Sequence, residues 1–158
     1  MAKKFLSARR LKITELEREY LLKTRNVLKK LKPRQAVKVD GLKLGFNMSL
    51  VMQRTYKNDT KHLCGAAGCI KGWMHSMAIA DGKMPTVLDT DELAKSIRDR
   101  SGEFRISNIY NSRALERLFY PSDLYSTMWK VTPQIAADAI TSFLRGDKHI
   151  NWGKAAPK

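Results

Sequence analysis

The chain has 158 residues, which is enough for one domain with an ordinary hydrophobic core, and its 43% hydrophobic and 28% charged residues are close to the averages of folded domains. This composition excludes a disordered or collagen-like chain, and no run approaches the roughly 18 apolar residues that a membrane span needs. The net charge of +15 and the pI near 10.0 favour nucleic acid or an acidic protein surface as the partner, and we expect no membrane partner.

The amino-terminal end carries most of this charge. Between residues 3 and 34 there are 12 basic and 3 acidic residues, which is +9 of the total. Residues 1–13 show no helix-start signal. We therefore predict a basic arm that is mobile by itself and becomes ordered on binding.

A long basic helix is predicted to follow the arm. Thr14-x-x-Glu17 is a capping box, and apolar residues at helical spacing continue to Leu31, before Pro33 ends the run. The bases that share one face of this helix are Arg18, Arg25, Lys29 and Lys32. Acids in the first turn and bases in the last turn also complement the helix dipole, which gives part of the pattern a structural explanation. Because the dipole does not explain the basic arm, the arm is the stronger indication of binding.

A small β-hairpin is predicted at residues 37–44. Apolar and polar residues alternate on both sides of Asp40-Gly41, a pair that favours a two-residue hairpin turn. A lone hairpin is only marginally stable, so we expect it to pack on helices. Residues 46–53 are expected to begin a second helix, and residues 55–62 a loop.

Further helices are predicted in the second half of the chain. They cover residues 66–80, a short stretch after residue 89 or 90, residues 112–119 and residues 133–144. The last helix has the clearest boundaries, because Thr132 is a cap, Pro133 takes the first position and Gly146 follows the end. The predicted fold is therefore mainly α and compact, with a basic arm over residues 1–13, one helical domain over 14–152 and a loose tail over 153–158.

Four short elements occur in order along the chain. They are Phe46-Asn47-Met48, Cys64-Gly65-Ala66-Ala67-Gly68-Cys69-Ile70-Lys71-Gly72-Trp73, Leu118-Phe119-Tyr120-Pro121 and Thr132-Pro133-Gln134-Ile135-Ala136-Ala137. The set resembles an uncharacterised domain of bacterial and phage-borne proteins that carries a C-G-T-x-x-C-x-A-G-[WH] segment. This resemblance covers about residues 33–152, up to a tryptophan such as Trp152, and it implies no activity.

The chain departs from that pattern in two ways. Ala66 stands where the pattern usually has Thr, and Lys71 stands where it has a small residue, so no role that needs this hydroxyl is expected. The basic amino-terminal extension lies outside the resemblance. This suggests that the extension adapts a common core to a particular partner.

Two cysteines and two histidines lie close together in the sequence, at His62, Cys64, Cys69 and His75. Thiolate and imidazole are usual zinc ligands, but spacings of five and six residues differ from the two to four that structural zinc sites favour. We therefore predict no metal, no cofactor and two small buried thiols. Two cysteines do not make a multi-bridge framework, so a reducing, cytoplasmic location is expected.

The leading functional hypothesis is a nucleic-acid- or nucleoprotein-binding accessory protein of phage or mobile-element type. The residues predicted to contact phosphates are Lys3, Lys4, Arg9, Arg10, Lys12, Arg18, Arg25, Lys29, Lys30, Lys32 and Arg34. The alternative is a phage-borne modulator that binds and inhibits a host protein, such as a defence or transcription component. Its basic face and exposed aromatic residues would then contact an acidic surface of that host protein.

A third hypothesis is a thiol-dependent enzyme in which His62 or His75 activates Cys64, although we predict that the protein is not an enzyme. Several aromatic residues outside the first helix are candidates for base stacking or for anchoring a protein interface, although such residues are more often buried. They are Tyr110, Tyr120, Tyr125, Trp129 and Trp152.

Overall fold

The computed structural model of the protein describes residues 4–39, 42–48, 52–54, 66–82, 112–124 and 126–156. Within these ranges the helices are α1 (Ala8–Leu11), α2 (Glu15–Lys30), α3 (Ile70–Ala80), α4 (Glu116–Phe119) and α5 (Pro133–Leu144). The strands are β1 (Ala36–Val39), β2 (Leu42–Phe46), β3 (Met52–Arg54) and β4 (Ala66–Gly68), and short 3-10 turns cover Arg113–Leu115, Ser122–Leu124, Met128–Lys130 and Gly153–Ala155. The predicted mainly α fold class is confirmed.

Helix α2 begins at the predicted capping box. The Thr14 hydroxyl accepts a hydrogen bond from the Glu17 backbone N–H at 3.1 Å, and the Glu17 carboxylate accepts one from the Thr14 N–H at 2.7 Å. The apolar side of α2 packs against α5 and α3. Its buried residues besides Glu17 are Tyr20, Leu21, Thr24 and Leu28.

Helix α5 has the predicted boundaries. The Thr132 hydroxyl caps it by accepting from the Ile135 N–H at 3.3 Å, and Pro133 occupies its first turn. After the helix, Gly146 adopts a left-handed φ of +71° and its N–H donates to the Phe143 carbonyl at 2.8 Å. This bond is one of the pair that defines a Schellman C-cap, a motif that favours glycine at this position.

Helices α2 and α5 lie antiparallel. The Arg25 Nε donates to the Thr141 hydroxyl at 2.6 Å in the middle of the two helices. At one end, the Gln134 side-chain amide donates to the Leu31 carbonyl, which follows the last turn of α2. The end of α2 and the start of α5 are therefore at the same end of the molecule.

The described part of the predicted arm, residues 4–13, packs on the helical core and includes the short helix α1. Ala8, Leu11 and Ile13 are buried, and the Leu6 N–H donates to the Leu144 carbonyl at 2.8 Å. Ser7 occupies the N-cap position of α1, a position that favours serine, but its side chain makes no cap hydrogen bond. Burial of three apolar side chains stabilises the docked position. The assignment of residues 1–13 as a separate arm remains a prediction.

The predicted hairpin is confirmed. β1 and β2 pair antiparallel, with Val39 opposite Leu42 across a two-residue connection. The sheet extends further than the sequence indicated, because β4 pairs parallel with β2 and antiparallel with β3, giving the order β1-β2-β4-β3. The buried indole of Trp73 in α3 donates to the Gly45 carbonyl in β2 at 2.9 Å, so the hairpin packs on a helix as expected.

One helix prediction near this sheet is wrong, and another is wrong only in where its helix begins. Phe46 ends β2 and residues 52–54 form β3, so the expected helix over 46–53 is not formed at its described positions. The helix predicted over 66–80 begins at Ile70, because residues 66–68 form β4. In both places, pairing between strands that are distant in sequence outweighs the local helical pattern.

The remaining helix predictions have two outcomes. The helix expected over residues 112–119 is present as the 3-10 turn Arg113–Leu115 continued by α4. The short helix after residue 89 or 90 and the loop over 55–62 lie outside the described residues. In the described ranges, no helix combines the length and the apolar character that crossing a bilayer requires.

Candidate nucleic-acid interface

Most of the predicted phosphate contacts are solvent-exposed where the structure describes them. The exposed residues are Lys4, Arg9, Arg10, Lys12, Lys29, Lys30, Lys32 and Arg34. Arg18 and Arg25 are half-buried, and Lys3 lies outside the described residues. The basic residues therefore form two groups, one around α1 and one at the end of α2.

Two residues of the first group, Lys4 and Arg10, line an open cleft of about 530 Å³. Its charged side chains are Lys4, Arg10 and Arg18 against one carboxylate, Glu15, and the Ser7 hydroxyl adds a neutral donor. Ammonium, guanidinium and hydroxyl groups are the donors that proteins direct at phosphate oxygens. The cleft can therefore accept an anion of phosphate size on its basic side.

The second group, which we call the α2-end cluster, consists of Lys29, Lys30, Lys32 and Arg34. Lys29 and Lys30 occupy the last turn of α2, where positive charge complements the helix dipole. Lys32 and Arg34 follow in a tight turn that is closed by the Gln35 N–H donating to the Lys32 carbonyl at 3.0 Å. Within the part of the chain that the structure describes, none of the four forms an ion pair.

Arg18 and Arg25 hold the fold together, which their place on the predicted stripe did not indicate. The Arg18 Nε donates to the Leu6 carbonyl at 2.9 Å, which fastens the amino-terminal segment to α2. Arg25 bonds Thr141 in α5, and its guanidinium carbon lies 5.2 Å from the centroid of the Phe5 ring. Each arginine is half-buried and keeps part of its charge at the surface.

The acidic residues of the same region do not neutralise these groups. Glu17 is fully buried and accepts hydrogen bonds from the Ser112 backbone N–H at 3.0 Å and from the Ser112 hydroxyl. Glu19 is paired with Lys23 at 2.8 Å, and Lys23 also contacts Asp81 at 2.5 Å. Of the three glutamates in α2, Glu15 and Glu19 are exposed, and Glu19 is already paired with Lys23.

The two groups are spread along the length of α2. Its 16 residues make a helix about 24 Å long, at roughly 1.5 Å per residue. This length corresponds to about seven nucleotides of one strand, at roughly 3.4 Å per step. A single nucleic-acid backbone could therefore reach both groups at once.

The structure adds two basic residues that the sequence reasoning missed. Lys38 in β1 and Lys43 in β2 are exposed and lie directly opposite each other, one pair beyond Val39 and Leu42. In a hairpin with a two-residue turn this is the non-hydrogen-bonded pair, where side chains are closest and like charges destabilise. An anion would relieve that repulsion. The hairpin predicted at residues 37–44 already places Lys38 opposite Lys43, so the sequence was sufficient to find this pair.

The cysteine region does not show the geometry of a catalytic or metal site in its described part. Cys69 is buried, and burial raises the pKa of its thiol, which disfavours the reactive thiolate. Lys71 is also buried, its ammonium lies 5.8 Å from the ring centroids of Phe119 and Tyr120, and burial lowers its pKa.

No group of three potential metal ligands occurs among the described residues. His62, Cys64 and the side chain of His75 lie outside them, so the thiol-enzyme hypothesis stays untested.

Fold and surface together define a mainly helical protein with a basic amino-terminal surface. We found no match to this chain among protein-family models, curated proteins or solved structures. The resemblance noted for residues 33–152 therefore remains a prediction. The features that bear on function are therefore the charge and position of the exposed basic residues around α1 and at the end of α2.

Proposed function

We propose that this chain is a nucleic-acid- or nucleoprotein-binding accessory protein that uses its amino-terminal basic surface to contact phosphates. The observation that carries the proposal is the asymmetry of the charges in α2. Lys29 and Lys30 are exposed and Arg18 and Arg25 keep part of their charge at the surface, whereas Glu17 is buried and Glu19 is paired with Lys23. A surface that keeps uncompensated cations over about 24 Å suits a polyanion. The phage or mobile-element setting rests on the resemblance of residues 33–152.

Binding through this surface is predominantly electrostatic and so depends steeply on salt. A protein that contacts roughly six to ten phosphates loses about 10³ to 10⁵ in affinity between about 50 and 200 mM salt. Truncation of the amino-terminal segment is a poor test, because it would remove the buried Ala8 and Leu11. Neutralising exposed lysines leaves the core intact.

The experiment compares two sets of lysine-to-glutamine variants by fluorescence anisotropy with a labelled oligonucleotide over a series of salt concentrations. Lys29→Gln with Lys30→Gln removes two exposed cations and should lower the slope of log K against log salt by about 2. Lys23→Gln is the matched control, because Glu19 and Asp81 already occupy its ammonium. It changes the net charge but should leave the slope nearly unchanged.

Two results would contradict the proposal. One is a slope that falls equally per charge in all variants, which would indicate non-specific attraction by net charge. The other is the absence of nucleic-acid binding at low salt. In that case, capture of a partner protein that survives nuclease treatment would favour the host-protein modulator instead.

A further inference from the structure

Trp129 is the most exposed large hydrophobic side chain in the described residues. Its exposed fraction is 74%, whereas Trp73 and Trp152 are 0% and 6% exposed. The indole lies in the 3-10 turn Met128–Lys130, immediately before α5. Single exposed hydrophobic side chains are common at protein surfaces, but an indole this exposed offers a large flat aromatic face to another molecule.

The turn holds Trp129 in a defined position. The Lys130 N–H donates to the Thr127 carbonyl at 2.9 Å, and the Val131 N–H donates to the Met128 carbonyl at 3.1 Å. Val131 is buried, and Met128 is partly buried against the core. The Thr127 hydroxyl donates to the Ala155 carbonyl at 2.6 Å, which ties the turn to the carboxyl-terminal segment. An aromatic ring on an anchored backbone loses less entropy on stacking than one on a free loop.

The surroundings of Trp129 are cationic and polar. The Lys130 ammonium lies 5.2 Å from the centroid of the indole ring, and Ser126 on the other side of the turn is exposed. The central aromatic anchors of protein interfaces are usually enclosed by apolar contacts that exclude water. Among described residues the other exposed large hydrophobic side chain is Tyr120, at 47%. An isolated aromatic ring beside a lysine suits a nucleobase with its phosphate better than an apolar protein surface.

The position of Trp129 links it to the proposed phosphate-binding surface. Gln134 bonds the Leu31 carbonyl, and Lys32 follows Leu31 directly. Trp129 lies five residues before Gln134, so their Cα atoms are separated by at most about 18 Å. The Cα of Trp129 is therefore within about 18 Å of the residue that contacts the end of α2, which carries the α2-end cluster.

We propose that Trp129 is a stacking platform for an unpaired nucleobase, and that Lys130 and the α2-end cluster contact the flanking phosphates. The ligand class is then single-stranded nucleic acid, or an unpaired segment of a folded one, rather than a uniform duplex. Bases inside a duplex are already stacked on both faces, so they have no free face to stack on an indole. This inference rests on the proposed function and adds to it that the bound strand is unpaired.

The test measures binding of poly-dT, poly-U and a DNA duplex to the full chain and to two variants. Trp129→Ala should weaken binding to the single strands by about 5- to 150-fold, which is the range for loss of one base–aromatic stack. Trp129→Phe keeps an aromatic face and should retain most of the affinity. Duplex binding should be equal in all three proteins, because its phosphate contacts are unchanged. Because Trp129 is exposed, both variants should fold like the wild type, and circular dichroism checks this.

Intrinsic fluorescence gives a second readout. Because the other two indoles are buried, acrylamide quenching of the free protein reports chiefly on Trp129. Single strands should protect it from acrylamide, and the duplex should not.

Equal single-strand affinities of wild type and Trp129→Ala would overturn the stacking inference and leave the phosphate-binding proposal standing. A wild-type protein that binds none of the three nucleic acids would overturn both. Nuclease-resistant capture of a protein that Trp129→Ala loses would instead assign the indole to a protein interface, which also overturns the inference.

Discussion

The buried carboxylate of Glu17 gives the sharpest test of how the amino-terminal segment is held. It accepts hydrogen bonds from the Thr14 N–H at 2.7 Å, from the Ser112 N–H at 3.0 Å and from the Ser112 hydroxyl. Ser112 lies 95 residues further along the chain, so one side chain both caps α2 and joins it to the segment that leads into α4. We expect Glu17→Ala to destabilise the whole domain.

The magnitude follows from these bonds. A hydrogen bond to a charged acceptor contributes roughly 1.5 to 3 kcal/mol net, and contributions that share one acceptor are not additive. Because Thr14 is exposed and Ser112 is half-buried, water can replace part of what is lost. The free energy of unfolding should therefore fall by about 3 to 5 kcal/mol. In a domain of this size that corresponds to a decrease in Tm of about 10 °C.

Urea unfolding followed by circular dichroism measures this change. Glu15→Ala is the matched control, because Glu15 occupies the same turn of α2 but is exposed, and its loss should cost no more than the roughly 0.3 to 1 kcal/mol of a helix-dipole interaction. If Glu17→Ala were as stable as Glu15→Ala, the carboxylate would not be buried and bonded as described. Glu17 would then be free to neutralise part of the basic surface.

Two further predictions concern the core. Gly146→Ala forces alanine into a φ of +71° and should cost about 1 to 2 kcal/mol for the left-handed backbone, because the Leu6 Cδ1 that its Cβ would meet ends a flexible side chain and can rotate away. Gly153→Ala, with a φ of +52° and no atom closer than 3.9 Å, should show a similar cost, and a much larger Tm decrease for Gly146→Ala would show that Leu6 cannot move. Burial and the hydrogen bond to Asp81 raise the pKa of Tyr20 from 10.0 to about 12. The protonated hydroxyl therefore stabilises the folded state fully below pH 10, and this contribution is lost as the pH rises from about 10 to about 12. The decrease in the urea midpoint between about pH 9 and about pH 11 should be larger in the wild type than in Tyr20→Phe. Equal decreases in the two proteins would contradict the assignment.

Part of the candidate interface follows from the sequence pattern. Lys29 and Lys30 fall in the last turn of an amphipathic helix, opposite its apolar residues, and this placement predicts their exposure. Arg25 has the same helical spacing but bonds Thr141, which is 116 residues away in the chain. Helical periodicity gives the face of a residue on its own helix. It does not show which neighbouring helix covers the edge of that face.

The same limit applies to Trp129. From the sequence, Trp129 and Trp152 are equal candidates for a contact, but Trp152 is buried and Trp129 is exposed. Its exposure depends on how the turn before α5 is anchored to the core, and that anchoring involves Ala155 near the other end of the domain. A contact between distant segments thus decides which tryptophan faces solvent.

By itself, the sequence determined the features that depend on a few neighbouring residues: the capping box at Thr14, the glycine cap of α5, the two-residue hairpin and the accumulation of positive charge. Their physics is local, because hydrogen bonds and backbone angles within one turn settle them. Only the tertiary structure decided that residues 4–13 dock on the core, that Glu17 turns inward and that short strands join the hairpin. Each of these depends on apolar burial or pairing between segments far apart in the chain, and the local pattern carries no information on such partners.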